Sequence, residues 1–71
     1  MKAKTITEQI EAIEKRHAAG ELTAGKSAAL LRDVERLAKM AELQADVEER
    51  VKIQKAINII KNLLVKLAGV V

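Results

Sequence analysis

The chain has 71 residues, a net charge of +3, and no Cys, Pro, Phe, Tyr or Trp. That length holds at most one domain, read as residues 1–71 without a separate linker, and a core of this size contributes only about 3–5 kcal/mol. The missing cysteines exclude disulfides, and His17 as the single histidine excludes a structural zinc site.

The apolar residues are Ala, Leu, Ile and Val with two Met, interleaved with Glu, Lys and Arg, a composition typical of helices and coiled coils. Glycine occurs only at Gly20, Gly25 and Gly69, so Lys26 to Ala68 contains no helix breaker. The expected fold class is all-α.

Thr5 followed by Glu8 has the spacing of a capping box, which starts helix 1 at residue 5 and carries it to about residue 19. Ile6, Ile10, Ile13 and His17 form one apolar stripe along it. Gly20 is placed to end the helix in a left-handed conformation. Leu22 can then fold back onto the hairpin, and Thr23 can cap the next helix. His17 is expected to pack at this end with one ring nitrogen hydrogen-bonded.

Ile10, Ile13, Gly20, Leu22 and Thr23 reproduce the helix, Gly-x-Ile/Leu-Thr, helix pattern, so residues 10–23 resemble a SHOCT domain hairpin. The resemblance covers about a fifth of the chain and implies a hairpin and little else. The acidic-aromatic pair that usually follows the turn is replaced here by Lys26 and Ser27. In overall texture the chain is similar to small phage-encoded helical proteins such as terminase small subunits, with no motif to transfer residue by residue.

Helix 2 is expected over about 24–68. Leu30, Leu31, Val34, Leu37, Ala38 and Ala41 form its first apolar face, and Glu35–Lys39, Asp46–Arg50 and Glu48–Lys52 are i,i+4 pairs along it. Asp46 with Glu49 is an alternative cap that would break the helix near 44–46, but no Gly, Asn or Pro precedes it. A single long helix of roughly 65 Å is therefore preferred over a three-helix bundle. On such a helix Met40, Leu43, Val47 and Val51 share one direction, and the stripe starting at Ile53 points roughly 200° away from Val51. A short helix 1 can cover the first face and cannot reach the second.

Ile53, Ile57, Ile60, Leu64, Leu67 and Val71 alternate steps of four and three, the spacing of a and d positions in a coiled-coil seam. This seam is expected to pack against another chain, as the interface for self-association or for a partner, or against helices 1 and 2 if the chain turns near Asp46, and homo-oligomerisation is the expected supplement to a small core. Lys55, Lys61 and Lys66 face no acid within residues 53–71, which accounts for the whole net charge. Together with Lys26, Arg32, Arg36 and Lys39 they are candidate contacts for phosphates or an acidic partner.

"GELTAGKS" satisfies the phosphate-loop pattern through Gly20, Gly25, Lys26 and Ser27, but that chemistry needs a preceding strand and a surrounding sheet. No cysteine nucleophile exists, and Ser27 has no evident activating partner in the sequence. No catalytic, cofactor or metal site is expected. Ile6, Ile10 and Ile13 are separated by polar residues, unlike a signal peptide, and no run reaches a membrane span of roughly 18 residues. The chain reads as a cytoplasmic, non-enzymatic interaction protein that oligomerises and acts as adaptor or inhibitor of a protein partner. The alternatives are an oligomeric accessory protein for duplex DNA or phage DNA packaging and, after it, a basic amphipathic helix lying on a membrane surface.

Overall fold

A computed structural model describes residues 1–69, and these residues form three α-helices: α1 (Ala3–Ala18), α2 (Ala24–Gln44) and α3 (Val47–Ala68). The all-α expectation holds, and the two-helix description does not. The body measures 38 × 19 × 14 Å, too short for an unbroken helix over 24–68.

The α1–α2 turn follows its local chemistry. Gly20 has φ of +78°, its N–H donates to the His17 carbonyl at 3.0 Å, and the Glu21 N–H reaches the Arg16 carbonyl at 2.9 Å. These bonds satisfy carbonyls that the end of α1 would otherwise orphan, in the Schellman arrangement. Leu22 is buried against the hairpin, and Thr23 Oγ1 accepts from the Lys26 N–H at 3.1 Å.

The expected break-free second helix is overturned at Ala45 and Asp46. Ala45 is extended, and Asp46 Oδ1 accepts the Glu49 N–H at 2.8 Å, a side-chain cap that opens α3. Arg50 satisfies the end of α2 by donating from Nε to the Glu42 carbonyl and from its guanidinium to the Ala45 carbonyl, each at 3.3 Å. Gln54 Nε2 also donates to the Glu42 carboxylate at 3.2 Å. Thus the turn needs neither glycine nor proline. Its cost is a few intrahelical hydrogen bonds, while folding α3 back buries Ile53, Ala56, Ile57 and Ile60, each large residue worth about 1.5–3 kcal/mol.

The start of α1 also differs from expectation. It begins at Ala3, with Lys2 in the capping position and no cap from its own side chain, so Thr5 lies inside the first turn. The cap comes from another helix: Glu49 Oε1 on α3 accepts the Ala3 N–H at 2.6 Å. A carboxylate there also meets the positive end of the helix dipole.

The core is a single cluster drawn from all three helices. Ile6, Ile10 and Ile13 of α1 meet Leu31, Val34 and Ala38 of α2 and Ile53, Ala56, Ile57 and Ile60 of α3. Helix α1 therefore packs on both partners, contrary to the expectation that it cannot reach the later stripe. Among the described residues the one ion pair joins Asp33 to Arg36, so the anticipated i,i+4 bridges are not formed, and Asp46 serves as a cap instead.

Candidate functional site

The expected interface seam is largely turned inward. Ile53, Ile57 and Ile60 lie in the chain's own core, Leu64 and Leu67 are half-buried, and Val71 lies outside the described residues. Apolar residues assigned to an upstream buried face have the opposite fate. Met40, Leu43 and Val47 are 66%, 82% and 76% exposed, and Leu37 and Val51 are close to half exposed. Leu37, Met40 and Leu43 lie within α2 but off the face that carries Leu31, Val34 and Ala38 into the core, and Val47 opens α3 outside its buried stripe. Met1, Leu37 and Met40 line one shallow cleft, and Leu43 and Val47 flank the corner beside it. The shared direction expected of Met40, Leu43, Val47 and Val51 presumed an unbroken helix, and the corner at Ala45–Asp46 divides these residues between α2 and α3.

The candidate cations do not form one patch. Lys39 and Lys61 come together across the α2–α3 groove, along with Glu42, Gln54 and Asn58. Arg36 is engaged by Asp33, and Lys66 sits instead beside His17 and Leu31 at the far end of the bundle. Lys26, Arg32 and Lys55 are exposed elsewhere on α2 and α3. The Lys39–Lys61 groove also contains the Glu42 carboxylate, which lowers its attraction for phosphate.

At the hairpin end, the structure brings His17 beside Ser27, a contact that the sequence alone did not show. Ser27 is buried, and its Oγ lies 3.1 Å from His17 Nδ1. The same nitrogen lies 3.2 Å from the Leu22 carbonyl oxygen, which can only accept. Nδ1 therefore carries the proton and donates to both oxygens, so it cannot take a proton from Ser27. The pair is a clasp between α1, the turn and α2, and Ser27 is not activated as a nucleophile. The GELTAGKS segment is equally occupied: Thr23 holds the Lys26 N–H, and an α-helix precedes the turn. The strand and sheet that a phosphate loop needs around it do not occur among the described residues.

No group of three potential metal ligands occurs among the described residues, and no helix among them is long and apolar enough to cross a membrane. The inward stripe of α3 also means that a lipid surface would have to open the bundle to reach Ile53, Ile57 and Ile60.

These features define a small three-helix bundle with exposed apolar residues about the α2–α3 corner and a mixed basic groove. No family model, curated protein or solved structure matches the chain.

Proposed function

We propose that the chain is a small, non-enzymatic helical interaction protein that self-associates and acts as adaptor or inhibitor of a protein partner. The observation that carries this reading is the exposure of Leu43, Val47 and Met40 around the α2–α3 corner while the core beneath is complete. Large apolar side chains gathered on the surface of a small domain favour a protein interface. The contact surface is then the corner, with the Ile53, Ile57 and Ile60 stripe reserved for the fold.

Sedimentation across a dilution series tests the self-association. The wild type is expected to associate at the upper end of the series, and Leu43→Asp to remain monomeric with unchanged helicity. A wild type that stays monomeric throughout, or a Leu43→Asp variant that associates equally, refutes the corner as the interface.

A second reading, an oligomeric accessory protein for duplex DNA, is favoured by the convergence of Lys39 and Lys61 on one groove. It requires affinity for duplex DNA that falls steeply with salt and weakens in Lys39→Gln and Lys61→Gln. Absence of binding at about 50 mM salt removes it.

A further inference from the structure

Helix α1 ends at Ala18, but the apolar stripe of α3 continues to Leu67. Leu63 and Leu67 are consequently only half covered. Between them and α1 lies a cleft of about 350 Å³, whose floor is Leu31, 2% exposed, and whose far wall is Ile13. Its rim carries Glu14, His17 and Lys66. An apolar hollow with a few polar groups at its mouth is the usual form of a small-ligand site.

The charge around it has a sign. Lys15 and Arg16 occupy the last turn of α1, Lys26 the first turn of α2 and Lys66 the last turn of α3. Against these cations stand Glu14 and Glu21, so this end of the bundle is net positive. His17 Nδ1 is already committed to Leu22 and Ser27, and Lys66 is the one lysine or arginine among the described residues that line the cleft.

We propose that the cleft binds a single-chain anionic amphiphile, a carboxylate with an unbranched apolar tail. The tail lies on Leu31, Leu63 and Leu67, and the carboxylate faces Lys66. Water fills about 30 Å³ per molecule, so the cleft has room for on the order of ten such units, and octanoate, with a short unbranched tail and one carboxylate, is a suitable probe. Glu14 opposes an anionic head, so Lys66 decides the preference: without it the rim repels a carboxylate. The site lies at the opposite end of the bundle from Leu43 and Val47, and it does not rest on the partner-binding reading.

Methyl NMR titration of the whole chain with octanoate, with octylammonium and octanol as comparison ligands, tests this at ligand concentrations up to about 1 mM. The expected result is saturable shifts confined to methyls of Ile13, Leu31, Leu63 and Leu67, with octylammonium at least about tenfold weaker. Lys66→Gln, on an exposed side chain, is expected to weaken octanoate by about three- to tenfold while octanol binding and helicity stay the same. The proposal is overturned by an absence of saturable shifts, by shifts spread across the chain, by equal binding of octylammonium, or by unchanged octanoate affinity in Lys66→Gln. Binding to anionic vesicles without any response to free octanoate would assign the basic end to a lipid surface and overturn the cleft as a ligand site.

Discussion

Replacing Ile60 by Val deletes one methylene from a side chain that is 0% exposed and surrounded by all three helices. Deletions of this kind in packed cores cost about 0.5–1.5 kcal/mol. For a domain of this size, each kcal/mol lowers the melting temperature by about 4–8 °C, so a drop of several degrees is expected. Thermal unfolding followed by circular dichroism at two protein concentrations about tenfold apart reads both the size of the drop and its origin. If Ile60 serves the monomer's own core, the difference between wild type and variant is the same at both concentrations. In an intermolecular seam the penalty would appear as weaker association, with a melting temperature that moves with concentration. A drop below about 1 °C, or one that changes markedly with dilution, refutes the assignment of Ile60 to the intramolecular core. The milder substitution matters: Ile60→Ala costs about 2–5 kcal/mol, comparable to the whole stability of so small a core.

Glu49→Ala removes the acceptor of the Ala3 N–H and is expected to cost about 1–2 kcal/mol, with Glu49→Gln recovering part of it. Denaturant unfolding checks the pair, and equal stability of Glu49→Ala and wild type refutes the cap. Gly20→Ala is expected to destabilise by about 1 kcal/mol through the positive φ alone, since a Cβ there meets nothing within 4 Å. Chemical denaturation measures it, and a neutral or stabilising result contradicts the left-handed turn.

The hairpin was legible because its instructions are local. Gly20, Leu22 and Thr23 act within a few residues of one another, and the helix end and cap expected of Gly20 and Thr23 are present. The α2–α3 corner was half legible. Asp46 and Glu49 have the spacing of a cap, but the choice between a straight helix and a turn depends on what Ile53, Ile57 and Ile60 bury when α3 folds back. That gain is tertiary, and no window of sequence around Asp46 contains it. The same tertiary dependence misplaced Met40, Leu43 and Val47: their common direction presumed an unbroken helix, and which face of α2 is covered depends on where α1 and α3 pack. One ring nitrogen of His17 was expected to be hydrogen-bonded, and Nδ1 is, while its contact with Ser27 ten residues away required the hairpin to be closed.

Glu49 joins two helix beginnings. Its N–H is held by Asp46, which starts α3, and its carboxylate holds Ala3, which starts α1, 46 residues earlier in the chain. The opening turn of the protein therefore has no cap until the third helix has formed and docked. A fragment ending at Gln44 would keep the hairpin and its clasp yet begin with unsatisfied N–H groups, so its first turn frays. During synthesis α1 leaves the ribosome before α3 and gains its cap only after residue 49 has followed. Order at the beginning of the chain is thus a reporter of whether its second half has folded.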